Sequence, residues 1–209
     1  MTIDKDTLGK RAVQALEKNK FAAAYFPDRE HAIRHIIGLV PEGSIVGIGG
    51  SATEKALDIG GKLAEKGCTI DDHNKPGLTK EEKVAIRYRQ LASDVFICSS
   101  NAVTLTGELV NKDGTGNRVA AMFFGPKKVI VIVGTNKLVE DLDEAENRIR
   151  TKAAPLNNQR LALPNPCTTT GECGDCNTKT RICNIKTIIS RCPPLTEIHV
   201  VIIGEDLGY

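Results

Sequence analysis

The chain has no tryptophan, and Phe, Tyr and Trp together make up only 4% of its 209 residues. Stacking on exposed nucleic-acid bases therefore has few side chains to use. An excess of charge of one sign is missing too: 28 Lys and Arg stand against 26 Asp and Glu, a net +2. That balance carries neither the basic footprint of a nucleic-acid binder nor an acidic tail. No apolar run approaches the roughly 20 residues of a membrane span. The opening MTIDKDTLGKRAVQALEKNK is charged and lacks the apolar centre of a signal peptide. The expectation is a cytoplasmic protein with no nucleic-acid partner and no membrane span. At 41% hydrophobic and 26% charged residues, the remaining composition is that of an ordinary folded chain, long enough for one domain with a small appendage.

What is concentrated is cysteine. Five of the seven fall in one stretch, Cys167, Cys173, Cys176, Cys183 and Cys192, spaced C-x5-C-x2-C-x6-C-x8-C. In a reducing compartment such a cluster reads as a metal or redox site rather than a disulfide framework. Four thiolates can hold one Zn²⁺ or one 4Fe–4S cluster. Only one C-x-x-C pair is present, whereas zinc ribbons show two, and the uneven spacing fits a cluster at least as well. Arg181, Lys179 and Lys186 can offset the charge of the thiolates. Cluster, zinc and free or redox thiols all stay open, and Cys183 and Cys192 compete for the fourth place beside Cys167, Cys173 and Cys176. Cys68 and Cys98 lie in strand-like segments and read as buried structural thiols.

Along the chain, short apolar strands alternate with helical periodicity, which predicts an α/β fold: a mostly parallel sheet with helices on both faces. We expect a single domain over 1–209. N-terminal helices occupy 1–40, the first with Leu8, Ala12 and Leu16 on one face and the second capped by Asp28. Phe21 to Pro27 reads as an apolar connection between them. Strands are expected at Ser44–Ile48, Cys68–Ile70, Asp94–Cys98, Lys128–Val133 and Ile198–Ile203. A helix through Leu57, Gly60, Leu63 and Ala64 ends at Gly67, Thr79 and Glu82 form a capping box, and Val103 to Val110 folds as a hairpin around Gly107. A helix is expected from about Asp141 to Lys152. The Pro- and Asn-rich stretch 155–166 then opens a cysteine-rich insertion, 164–193, too small for a core of its own.

Two loops carry candidate binding chemistry. The turn containing Gly47, Gly49 and Gly50 permits close backbone approach. Ser51 can cap a helix whose free N–H groups favour an anion. The turn matches neither a dinucleotide fingerprint nor a phosphate loop of the G-K-[ST] type, and a plain strand–helix connection is the equal alternative. The polar stretch 101–118 holds Thr106, Glu108, Asp113, Asn117 and Arg118 near a strand end. Glu108 can act as nucleophile or base, and Arg118 can grip a carboxylate or phosphate. Ordinary turn chemistry explains the same residues. His31 and His35 share a helix face, but the isoleucines beside them set its packing, so they read as surface or satisfied histidines.

Three segments together resemble the lactate-utilisation (LUD) domain family, in its stand-alone cysteine-containing branch: GIGGSATEKAL, SSNAVTLTGELVNKDGTGNRVAAMFFGPKKVIVIVGTNKLV, and PCTTTGECGDCNTKTRICN with the closing VVIIGEDLGY. The resemblance runs from about residue 10 to the end. It implies a fold like that of ribose-5-phosphate isomerase, glucosamine-6-phosphate deaminase and the CoA transferases. Carried onto this chain, the ligand site of that superfamily falls on Gly47, Gly49, Gly50, Ser51 and Thr53, then Thr106, Glu108, Asp113, Asn117 and Arg118, with Glu108 in the place of a transferase nucleophile. It further implies a small anionic metabolite as ligand, a role in lactate or other organic-acid oxidation, and other lactate-oxidation subunits as partners. The alternatives are a CoA-transferase-like or sugar-phosphate-isomerase-like enzyme and a non-catalytic zinc protein.

Overall fold

The computed structural model describes residues 4–209, so residues 1–3 of the expected N-terminal region lie outside it. Asp4 caps helix α1 (Lys5–Lys18), which buries Ala12 and Leu16 as its periodicity requires. The next segment departs from expectation. Ala22–Phe26 is a strand, β1, paired in parallel with the C-terminal strand, Ala22 opposite His199 through Phe26 opposite Ile203. Alanine-rich sequence has little strand preference of its own, so this strand owes its form to its distant partner. Asp28 then caps α2 (Arg29–Leu39), its carboxylate accepting from His31 N at 2.9 Å.

Strand β2 (Ile45–Ile48) leads through the glycine turn into α3 (Ala52–Leu57) and α4 (Ile59–Glu65). One helix was expected here; two form, broken at Asp58 with φ 50°. The Glu54 side chain accepts from Gly60 N at 3.0 Å across the break. A Cβ on Gly60 would stand 2.7 Å from Ile48 Cδ1, so the break lets α4 lie close on the sheet. The chain continues through β3 (Thr69–Asp72), α5 (Lys80–Gln90) with its Thr79–Glu82 capping box, and β4 (Val95–Cys98). Then come β5 (Ala102–Thr104), β6 (Leu109–Asp113), α6 (Asn117–Phe123), β7 (Lys128–Gly134) and β8 (Leu138–Val139). Helix α7 (Leu142–Arg148) runs through a π-helical turn, Ile149–Ala153, into α8 (Ala154–Arg160), so the stretch 155–166 that opens the cysteine region is partly helical. After α9 (Cys167–Thr170) come β9 (Ile185–Ile189) and β10 (Glu197–Ile203).

Six strands form an all-parallel sheet in the order β1-β10-β7-β4-β2-β3. The inner strands β4, β7 and β10 are buried on both faces, which is why their centres are continuous apolar runs. Alternate residues divide between the faces. Val129, Val131 and Val133 pack with Ala12 and Leu16 of α1 and Val119 and Met122 of α6. Ile130 and Ile132 pack with Ala32 and Ile36 of α2 and Ile59 and Leu63 of α4. Each Val, Leu, Ile or Met among them contributes about 1.5–3 kcal/mol on burial. A second sheet, β8-β5-β6-β9, covers part of the first face through Val103, Leu109 and Ile189. Its outer side packs on Ala145, Ile149 and Ala154. The cysteine-rich segment is therefore tied into the domain, because β9 pairs with β6 from Leu109–Ile189 to Asp113–Ile185. Among the described residues no helix is long and apolar enough to cross a membrane.

Candidate anion cleft and cysteine cavity

From β2 the chain runs outward to β3, then crosses back to β4 on the other side. In open parallel sheets the crevice beyond such a switch point is where ligands bind. A cleft of about 230 Å³ lies there. Gly50 and Ser51 after β2, Ser99 to Asn101 after β4, and Lys137 after β7 form its base. The loop with Asp113, Asn117 and Arg118 lines the same cleft. Arg87 of α5, Arg160 of α8 and Tyr209 close the sides.

The expected residues play unequal parts. Ser51 spends its hydroxyl on Glu54 N at 3.2 Å, and α3 is only six residues long. Gly49 is packed against Phe96 and Arg118, where a Cβ would sit 3.0 Å from the Phe96 ring, and Gly47 lies inside β2. Thr53 is fully buried beneath the cleft. Arg118 was expected to grip a ligand, but the protein uses all its donors. Nε donates to Asp113 Oδ2 (3.2 Å), Nη1 to Ser99 O (2.8 Å) and Asn111 Oδ1 (2.5 Å), and Nη2 to Lys112 O (2.9 Å) and Asn101 Oδ1 (3.2 Å). Asp113 also accepts from Thr115 N and Gly116 N at 3.1 and 2.7 Å. Arg118 and Asp113 thus hold the cleft wall in shape.

Glu108 and Thr106 do not line the cleft. They sit at the β5–β6 hairpin, where Glu108 is bound by the hydroxyls of Thr104 and Thr106, the latter at 2.6 Å. Gly107 between them has φ 92° and lies so close to α1 that a Cβ would be 2.4 Å from Ala15 O. The hairpin therefore docks on α1, which takes Glu108 out of the nucleophile role at this site.

Sequence reading missed Lys137, Arg87 and Arg160. Lys137 is 3% exposed, and its Nζ lies 2.9 Å from both Thr53 Oγ1 and Ser99 Oγ. Burial, then the neighbouring Arg148 and Arg118, hold its amine down to about 7. Arg148 is itself buried, donating to Asn101 O (2.5 Å) and Asn136 O (3.0 Å), and burial lowers it to about 10. Among the described residues no carboxylate pairs with Lys137, Arg87 or Arg160. Arg87 Nε is buried without a partner, and Arg160 meets only Asn157 Oδ1. By contrast Lys112 is neutralised by Glu146 at 2.8 Å. The available signal for Lys137 was its place just past the central strand β7, at the ligand-binding end of the sheet.

Cys167, Cys173, Cys176 and Cys183 line one small cavity of about 10 Å³. Cys192 lies elsewhere, its thiol directed at Thr196 O (3.3 Å) against the core of the first face. Backbone bonds hold the loop: Cys173 N donates to Arg150 O (2.9 Å), and Arg181 donates to Cys176 O (2.6 Å) while pairing with Asp175 (2.7 Å). Burial pushes the Cys167 and Cys183 thiols up, and the crowding of Cys173 against each adds to it. Lys186 pairs with Glu146 rather than with the thiols. All seven cysteines are free, with Cys68 and Cys98 buried. As they stand, no three or more of the described His, Cys, Asp and Glu side chains are placed to hold a metal ion. Ile182 lines both the cysteine cavity and the cleft, so the two share a wall.

The fold has a known counterpart. A DUF162 family protein from Deinococcus radiodurans superposes with TM-score 0.55 at 13% identity, over 97% of this chain and 100% of that one. The malonate decarboxylase alpha subunit from Acinetobacter baumannii gives TM-score 0.46 at 12% identity, over 98% of this chain and 38% of that one. No curated protein matches the chain. The family model of the LUD domain matches residues 9–203, and the chain belongs to that family.

Proposed function

We propose that this chain is an accessory redox protein of lactate or other organic-acid metabolism. It binds a small carboxylate in the cleft and holds an iron–sulfur cluster on Cys167, Cys173, Cys176 and Cys183. The observation that carries this reading is the shared wall: Ile182 stands between a cationic cleft and a ring of four thiols. The cleft's unpaired cations favour an anion. Its volume, about 230 Å³, lies below the roughly 300–1,000 Å³ of sites for drug-sized molecules, which favours a small acid over a CoA thioester. The LUD family supplies the organic-acid context.

The donor set fits a cluster. It is sulfur alone, with no carboxylate or histidine, on a loop pinned by Arg150 and Arg181. One Zn²⁺ draws four sulfurs to about 2.3 Å from a single point, whereas a 4Fe–4S cluster takes its thiolates on separate irons. Four thiols lining one cavity match the number of thiolates a 4Fe–4S cluster takes. When bound, the cluster would supply one-electron chemistry. The chain's own part is to bind and orient the acid, and Ile182 keeps the two sites apart at close range. Electrons would pass to other subunits of lactate oxidation, in a reducing compartment such as the cytoplasm.

The test is anaerobic purification with iron, sulfide and zinc analysis, followed by calorimetric titration of lactate, pyruvate, phosphate and CoA. Iron with sulfide, and carboxylate binding at millimolar concentration or below, are expected. One zinc per chain, or tight binding of CoA alone, would overturn the reading.

A further inference from the structure

The bonding around Lys137 has a definite direction. Thr53 Oγ1 donates its proton to Leu207 O, and Ser99 Oγ donates to Ser100 O, each at 3.3 Å. Both hydroxyls also accept from Lys137 Nζ, at 2.9 Å. A neutral amine has two N–H groups to give and one lone pair left over. An ammonium would carry a third N–H with no carboxylate among the described residues to receive it. The ionisable groups set against the amine are Arg118 of α6, Arg148 of α7 and Cys98 of β4, and the two arginines oppose a charge there. A buried lysine beside other cations is the setting in which a lysine amine turns nucleophilic.

We infer that Lys137 captures the carbonyl carbon of a 2-oxo acid in the cleft as a Schiff base, with the acid's carboxylate turned toward Arg87. This rests on the reading that the cleft takes a small organic acid. The Nζ lone pair attacks the carbonyl carbon, a C–N bond forms and the carbonyl C–O bond breaks. The oxygen leaves as water with the two amine protons, and nothing is oxidised or reduced. Thr53 and Ser99, which touch both N–H groups, position the amine and can pass those protons.

The test uses the full chain with pyruvate and sodium cyanoborohydride, which reduces the imine to a stable secondary amine. Intact mass and peptide mapping read the product, and calorimetry measures pyruvate binding in parallel. One fixed pyruvate on the Lys137 peptide is expected. Lactate, which lacks the carbonyl, should fix nothing, and Lys137→Arg should lose the adduct. The wild-type peptide map stands even if that variant fails to fold. Pyruvate that binds but stays unfixed, or is fixed equally on exposed lysines such as Lys20, overturns this inference and leaves the cleft reading standing. No pyruvate binding overturns both.

Discussion

Arg118 Nε meets Asp113 Oδ2 at 3.2 Å inside the cleft wall, and the side chains are only 13% and 9% exposed. Both are consumed by the protein, so this pair shapes the site without being free to bind. Breaking a buried, hydrogen-bonded ion pair costs about 3–5 kcal/mol, because the remaining charge is left uncompensated. Arg118→Ala should therefore lower stability by an amount of that order in urea unfolding. Arg118→Lys should recover only part of it, since a lysine cannot reproduce the five-donor fork. A loss under about 1 kcal/mol would contradict the bonding described.

Anion affinity should depend on other cations. Arg87→Ala removes a guanidinium whose Nε has no partner among the described residues, so stability should change little. Pyruvate or lactate affinity should fall by about tenfold, the equivalent of one lost charge-assisted contact of roughly 1.4 kcal/mol. Glu108→Gln should leave binding unchanged, because Glu108 is tied to Thr104 and Thr106 outside the cleft. Calorimetry on the two variants separates the roles; equal losses would place Glu108 at the site after all.

The contrast between Arg118 and Lys137 shows what the sequence makes legible. The central strands, the Thr79–Glu82 capping box and the β5–β6 hairpin follow from local periodicity and turn chemistry, and all are present. The meeting of the glycine turn and the 113–118 loop at one cleft follows from their places at strand ends. The roles do not follow. Arg118 is polar in a polar loop, and only the packed backbone carbonyls of Ser99 and Lys112 reveal that its donors are spent. Lys137 stands in a G-T-N-K turn, where a lysine ordinarily reaches water; its burial comes from Thr53, Ser99 and the Gly208 segment arriving from distant sequence. Strand β1 escaped for the same reason, since its strand partner among the described residues is β10, far along the chain.

The cysteine loop makes a sharp comparison possible. Cys183→Ser should abolish bound iron or sharply reduce it, because Cys183 lines the cavity with the other three thiols. Cys192→Ser should retain it, because Cys192 points to Thr196 O. Iron and sulfide per chain, measured on anaerobically purified variants, provide the check. Equal retention in both would remove the four-thiol assignment.

Stability should also report the buried amine. Lys137 ionises at about 7 in the folded chain against an ordinary 10.5, so between those values the unfolded chain binds more protons. Stability contributed by this group therefore rises as pH rises through that window, and below about 7 the full penalty of a buried ammonium is present. Lys137→Met removes the titration. The variant also loses the two bonds to Thr53 and Ser99, which lowers its whole curve by an offset that does not depend on pH. Relative to the wild type, Lys137→Met should look best at about pH 6–7 and lose ground steadily toward about pH 10. Urea unfolding of both proteins at several pH values gives the difference directly, and other titrating groups cancel in it. Parallel curves across the window would mean that Lys137 keeps an ordinary amine, and the case for its nucleophilic role would fall with it.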